Sequence, residues 1–223
     1  LNPAHPGVRQ RFLGLIGEIV QRCKVDGIQL DDHFAWPVEL GYDPFTRALY
    51  RQSTGLEPPD DYTDRAWMTW RRHQLTDLLR ELRRVLKSNG SGTAYVSLSP
   101  GPFRFAYNTW LQDWEIWALG SLIDELVVQN YAYSLQGFAR DLQQPALVKA
   151  SSWGIPVEIG VLAGFGGRTT AMPTLAEKVR LAAQQGHGIL YFYWEGLWGQ
   201  YAGPEGAEAR RFGFSQLHRS LLR

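Results

Sequence analysis

The sequence is most informative at first through what it lacks. A single cysteine, Cys23, in 223 residues rules out an internal disulfide and any redox chemistry that needs a cysteine pair. The five histidines, at 5, 33, 73, 187 and 218, show neither an HxH nor an HExxH spacing, so no metal and no cofactor is expected. No G-x-S-x-G elbow is present, Cys23 sits at a helix end without an evident base, and no strand ends in lysine. Acyl-enzyme and Schiff-base chemistry therefore have no obvious seat. No apolar run approaches the roughly 20 residues that span a bilayer, and the start carries no signal-peptide pattern. Charge is balanced, with a formal net charge of +1 and 20% charged residues, which gives no reason to expect nucleic acid as a partner.

What is abundant is aromatic. Nine Trp, ten Tyr and ten Phe either build a ring-rich core or stack on a ligand. The length suits one good-sized core and a single domain over residues 1–223.

Along the chain, helical and extended periods alternate. The spacing of Val8, Phe12, Leu15, Ile16, Ile19 and Val20 predicts an amphipathic helix from Pro6 to Arg22, followed by a strand over Gly27 to Leu30. A Pro-, Gly- and Asp-rich excursion from Trp36 to Asp64 is too long for a simple connection. The clearest helix runs from Arg65 to Lys87 and stops at Ser88-Asn89-Gly90-Ser91-Gly92. Strands then fall at Thr93 to Leu98, Leu126 to Asn130, Pro156 to Val161 and Gly188 to Tyr193. Helices fall around Trp110 to Leu119, Gly137 to Ala150, up to Gln185 from a capping box at Thr174 to Glu177, and Ala207 to Leu222. Gly164-Phe165-Gly166-Gly167-Arg168 lacks the Lys-Ser/Thr of a phosphate-binding loop and reads as a flexible connection. Five strands alternating with helices are the signature of a parallel sheet.

Strand residues alternate in facing. With Ile28 and Leu30 toward the helices, Gln29 and Asp31 face the other way, and the same parity places Ser97, Ser99, Gln129, Tyr131, Glu158, Tyr191, Tyr193 and Glu195 with them. A sheet covered by helices on both faces would be apolar on both. One polar face, densest at the strand ends, suits the inside of a (β/α)8 barrel, here its fourth to eighth strands.

The chemistry-bearing residues cluster at those ends. Asp31 closes the first strand, pointing into the mouth, while parity turns Asp32 toward loop or backbone. Glu195 follows the last strand, and Glu158 lies within the one before. Two carboxyls flanking one bond are what glycoside hydrolysis needs, with Asp31 and Glu195 the leading pair and Asp31 and Glu158 the second. His33, Phe34, Trp36, Tyr131, Tyr133, Tyr193, Trp194 and Trp198 are placed to line a sugar cleft, with Gln29, Ser99 and Gln129 as polar partners. Trp110, Trp114 and Trp117, at helical spacing, pack an outer layer instead. Structural roles stay open for each acid. A binding barrel without catalysis, or an aldolase or metal-dependent hydrolase using Asp31 and His33, are the other readings.

Several motifs together, namely Leu1-Asn2-Pro3-Ala4-His5-Pro6, Asp26-Gly27-Ile28-Gln29-Leu30-Asp31-Asp32-His33-Phe34, Val96-Ser97-Leu98-Ser99-Pro100, Gln129-Asn130-Tyr131 and Phe192-Tyr193-Trp194-Glu195-Gly196-Leu197-Trp198, resemble the glycosyl-hydrolase-like 10 family. The resemblance spans essentially the whole chain. It implies a bacterial (β/α)8 barrel distantly similar to amylase-type hydrolases, a cell-wall glycan such as peptidoglycan as substrate, and an envelope or secreted location. In amylase-type barrels a Gly-Phe-Arg-x-Asp pattern ends the fourth strand in the nucleophile. Gly27-Ile28-Gln29-Leu30-Asp31 aligns with it and gives Asp31 that role, with Gln29 in place of the arginine that would keep the nucleophile ionised. The strand that carries the amylase acid, Tyr95 to Ser99 here, has no glutamate. The resemblance also implies that Leu1 to Pro6 comes after a third strand, so that strands one to three precede this sequence.

Overall fold

The computed structural model describes residues 1–89 and 95–221. The chain is mixed α/β, with a parallel sheet of five strands that succeed one another in chain order. It divides into two compact units, Leu1–Asp124 and Glu125–Arg223.

The first unit opens with α1 (Pro6–Cys23) and β1 (Gly27–Asp31), then α2 (Pro44–Thr54) and α3 (Arg65–Asn89), and closes with β2 (Tyr95–Ser99), α4 (Phe103–Thr109) and α5 (Trp114–Leu119). Pro6 pre-sets the first turn of α1, and the His5 ring accepts the Gly7 N–H at 3.1 Å, so proline and cap start the helix together. α3 turns Trp67, Leu75, Leu78, Leu79, Leu82 and Leu86 inward, all buried, which is the face the sequence period marks. Arg9 ties α1 to α3 through Glu81 at 2.8 Å and the Gln74 carbonyl at 2.7 Å. Trp114 and Trp117 are fully buried, and the Trp117 indole donates to Thr76 at 2.8 Å. Of the helix expected over Trp110 to Leu119 only Trp114–Leu119 forms, as α5; α4 lies ahead of that range, and between the two stands Leu111, whose φ of 53° no helix accommodates.

The excursion from Trp36 to Asp64 is ordered, and it contains a helix that hydrophobic period alone does not disclose. Its signals are local. Asp43 caps it by accepting the Thr46 N–H at 3.1 Å, Pro44 opens it, and Gly55, at φ 74°, ends it. Arg71, fully buried in α3, ties the segment down near both of its ends. Its guanidinium donates to the carbonyls of Val38, of Leu40 at 2.7 Å and of Tyr62 at 2.7 Å, and it lies 4.5 Å over the Trp67 ring. Burial pulls the Arg71 pKa down to about 10.

The second unit runs β3 (Glu125–Asn130), α6 (Leu135–Leu142), α7 (Pro145–Ser152), β4 (Val157–Leu162), a two-stranded hairpin β5 (Gly164–Phe165) and β6 (Arg168–Thr169), α8 (Met172–Gln184), β7 (Gly188–Phe192), α9 (Trp194–Leu197) and α10 (Ala207–Leu221). Pro145 splits the single helix expected over Gly137 to Ala150 into α6 and α7. The capping box at Thr174 is absent. α8 starts two residues earlier, with Ala171 as cap residue and Pro173 in its first turn. The Gly164 to Arg168 segment is a hairpin rather than a flexible connection. The interior of the helix stop at Ser88 to Gly92, the start of the strand expected from Thr93, and Leu222 lie outside the described residues.

The register corrects the facing in the last strand. Gln129 pairs with Gly160 and Gly160 with Leu190, whereas Asn130, Val161 and Tyr191 share the adjacent row. Tyr191 therefore faces with Asn130, which donates to the Phe138 carbonyl at 2.9 Å, and its own hydroxyl meets His218 of α10 at 2.8 Å. Applying one parity to each strand separately, without the pairing offset, puts Tyr191 on the wrong side.

Lys178 of α8 is wholly buried, with its ammonium on the Ala132 carbonyl at 2.7 Å and the Phe138 ring at 5.7 Å. Burial pulls its pKa from 10.5 to about 8. A lysine depressed in the folded state binds fewer protons than in the unfolded chain, so stability rises as pH climbs from about 8 toward 10.5. The gain is at most about 3 kcal/mol. Urea unfolding of Lys178→Met should show a variant more stable than the parent at pH 7, with the gap closing by pH 10. A Met variant less stable by the same amount at both pH values would mean that the bond to Ala132 outweighs the burial cost.

Candidate active site

β1 ends where the chain turns. The Phe34 N–H returns to the Asp31 carbonyl at 3.1 Å, and the His33 N–H donates to Asp31 Oδ1 at 2.9 Å. This side-chain turn stops strand alternation at Asp31. As a result Asp31 and Asp32 do not part as parity predicts. His33 Nδ1 stands 3.2 Å from Asp31 Oδ2 and 3.2 Å from Asp32 Oδ1. The Asp31 side chain is 60% exposed and the His33 ring 86%, so both are open to a ligand. The three donor atoms lie within 4.8 Å of one another. They are the groups that could hold a divalent cation, though an imidazolium between two carboxylates accounts for the same spacing.

The hydrogen bond that the ring gives to Asp31, with the charge of Asp32 next, raises the His33 pKa above its ordinary 6.5. A histidine raised in the folded state contributes its ion pairing in full below about 6.5 and loses it as pH climbs through the folded value. An NMR titration of the ring should give a midpoint above 6.5, falling toward 6.5 in Asp31→Asn. A midpoint unmoved by that substitution would remove Asp31 as the cause.

Gln112 is a part of this site that strand and motif reasoning misses. Fully buried, it donates to the Phe34 carbonyl at 2.9 Å and reaches the Asp32 and Asp31 carbonyls at 3.3 and 3.4 Å, so it holds the turn from behind. A buried amide just before a short helix carries no sequence signature. On β1 and β2 the polar face forms as parity predicts. Gln29 pairs with Ser97 and donates to its hydroxyl at 2.9 Å, and Asp31 pairs with Ser99. A largely apolar cavity of about 620 Å³ along β1 takes its polar lining from Gln29, Asp31 and His33, and its apolar lining from residues such as Phe12, Ile16 and Leu75.

Two rings expected at the rim belong largely to the core. Phe34, 8% exposed, packs 6.0 Å from Phe12 and 5.8 Å from Trp117, while one edge lines the same cavity. Trp36, 2% exposed, is buried with Ala4, Val38, Met68 and Leu111. The turn at Asp31 draws both inward, because the Trp36 N–H bonds to the Trp110 carbonyl at 2.9 Å and pins the strand exit against that segment.

In the second unit the strand ends carry rings. Tyr131 lies 5.0 Å from Phe192, and Phe192 lies 4.6 Å from Tyr193. Gln129 shares this face, since a Cβ at its row partner Gly160 would come within 3.4 Å of the Tyr131 ring. Trp194 is exposed. Trp198 instead turns to α10, with its ring 5.5 Å from Phe214 and the Arg211 guanidinium 5.6 Å over it. Burial, and then Tyr201 and Glu195, push the Tyr193 hydroxyl up.

Glu195 folds back over its own loop. Its Oε2 accepts the Gln200 N–H at 3.1 Å, and a Cβ at Gly199 would fall 1.8 Å from that oxygen. Glu158 stands at the other end of its strand, four residues before Leu162. At about 3.3 Å per residue that is roughly 13 Å from the strand end, so it is not among the strand-end groups. Burial, and then Glu125, raise its pKa.

The chain is thus a mixed α/β protein with a parallel sheet, and its strand ends carry an open carboxylate–imidazole cluster in the first unit and a group of rings in the second. Residues 1–181 match the glycosyl hydrolase-like 10 family, and the chain belongs to that family. A solved structure from Desulfitobacterium hafniense DCB-2, described as "C-terminal domain of putative chitinase", shares its fold, with a TM-score of 0.58 at 13% identity. The similarity covers 100% of this chain and 75% of that one. No curated protein matches the chain.

Proposed function

We propose that the chain hydrolyses glycosidic bonds in a bacterial cell-wall glycan, with Asp31 as the nucleophile or as the base that activates water. The observation that carries this reading is the exposed Asp31 carboxylate at the end of β1, oriented by the His33 N–H and facing the His33 ring. Membership of a hydrolase-like family supports it. Protonated His33 supplies, beside Asp31, the positive charge that Gln29 does not. Glu195 is the candidate proton donor, through the oxygen that Gln200 leaves free. Strands in chain order, without the reversal of a doubly wound sheet, fit the βα units to part of a (β/α)8 barrel.

The test is release of reducing ends from purified cell-wall glycan by the parent protein, Asp31→Asn and Glu195→Gln. Loss in each variant supports the role given to that residue. Cleavage that survives in Asp31→Asn removes the assignment. A second reading, a glycan-binding protein without catalysis, draws on the way Glu195 is already engaged by its own loop. It stands if the parent binds the glycan and releases no ends. An envelope or secreted location belongs with the same reading and is tested by fractionating cells.

A further inference from the structure

The β5–β6 hairpin is a part of the second unit to which glycoside hydrolysis by Asp31 and Glu195 gives no task. Its two-residue turn, Gly166-Gly167, has φ of 57° and 80°, conformations glycine adopts without cost, and such turns hold short ribbons tightly. Phe165 and Arg168 are directly paired across the ribbon. Directly opposed residues project from the same face. Both are exposed, Phe165 by 54% of its surface.

The ribbon is firmly mounted. Arg210 of α10, fully buried, donates to the Ala163 carbonyl at 3.1 Å and the Thr170 carbonyl at 3.0 Å, on either side of the hairpin, and pairs with Glu205 at 2.5 Å. The Ala163 N–H also bonds to the Phe192 carbonyl at 2.7 Å, which ties the hairpin root to β7. Phe165 then lies 6.2 Å from both Phe192 and Tyr193, while the Arg168 guanidinium lies 5.2 Å over the Tyr133 ring. Among the described residues no carboxylate pairs with Arg168 and no acceptor takes its N–H groups. A guanidinium over a ring is weakly hydrated and keeps its in-plane donors available, a fork that matches a carboxylate in a bidentate manner.

We propose that this hairpin is a glycan subsite selective for sugars that bear a carboxylate, with Phe165 under the C–H face of the sugar ring and Arg168 on the acid. The proposal rests on the reading that the chain acts on glycans, and it names the class of sugar. Two exposed groups of unlike chemistry, fixed side by side on a ribbon that a buried arginine anchors, form a site that reads an apolar sugar face and an anion together. An apolar partner would leave Arg168 unused, and a simple anion would leave Phe165 unused.

The test is calorimetric binding of a galacturonate pentamer and of the same pentamer with its carboxyls reduced to alcohols. Asp31→Asn is used as the parent background, so that cleavage does not interfere and catalysis is judged separately. The acidic pentamer should bind at least about 10-fold more tightly than the reduced one, as one charge-assisted bidentate contact allows. Arg168→Gln should bring that ratio to about 1 without a change in thermal midpoint. Phe165→Ala should weaken both pentamers by a similar factor. Equal affinity for the two pentamers, a ratio unchanged by Arg168→Gln, or equally tight binding of pentaglutamate would overturn the proposal. The separate cleavage assay with Asp31 intact reports on the hydrolase reading whichever way the binding falls.

Discussion

Asp31→Asn should lower glycan cleavage by about 10²–10⁴-fold while leaving the fold and glycan binding intact. The asparagine keeps an oxygen where Asp31 Oδ1 accepts the His33 N–H, so the turn after β1 keeps its hydrogen bond. What disappears is the charge, and with it both nucleophilicity and the capacity to take a proton. Because the side chain is 60% exposed, the substitution strands no buried group. A stability loss above about 1 kcal/mol is therefore not expected, since the exposed ion pair with His33 is worth less than that. The measurement is initial rate against protein concentration, with the anomer of the first product tracked by NMR. Retention of configuration assigns Asp31 as nucleophile, and inversion assigns it as base.

The largest effect on stability should come from Arg71→Met, a loss of about 3–5 kcal/mol, as when one side of a buried polar arrangement is removed. The substitution leaves the carbonyls of Val38, Leu40 and Tyr62 without their donor and removes a cation from the face of Trp67. Burying a methionine there recovers apolar contact but cannot replace three bonds. The packing around Gly41 is tight too, with a notional Cβ there 3.1 Å from Arg71 Cδ and from the Trp36 ring, so the segment has little freedom to close over the gap. Urea unfolding gives the magnitude, and hydrogen exchange should show the loss concentrated in residues 36–64. Arg71→Lys should fall between, because one ammonium replaces the two guanidinium nitrogens that serve the three carbonyls. A loss under about 1 kcal/mol would mean that water takes the place of the guanidinium.

Much of the fold is legible in the sequence because α3 and the five parallel strands carry strong, uninterrupted periods, and their bounds fall within a few residues of those expected. The site is legible only in part. Gln29, Asp31 and Ser97 fall as alternation predicts because they lie inside paired strands. Asp32, Phe34 and Trp36 do not, because alternation ends at the Asp31 turn and tertiary hydrogen bonds set the course of the chain beyond it. Tyr191 fails for a different reason, since facing depends on pairing register and a single strand does not reveal it. The α2 helix has a cap and a glycine stop to announce it. Arg71, Gln112 and Arg210 have nothing comparable, since each works through backbone carbonyls distant in sequence.

The back-folded Glu195 has a consequence for how Trp194-Glu195-Gly196-Leu197-Trp198-Gly199 is spelled. With a Cβ at 199 landing 1.8 Å from Glu195 Oε2, the two positions make one choice rather than two. Any side chain at 199 must displace the carboxylate, while a shorter acid at 195 leaves the glycine with no tenant. The run is thus a conformational sentence as well as a chemical one, and Gly199→Ala rewrites the posture of Glu195 without altering a single atom of it.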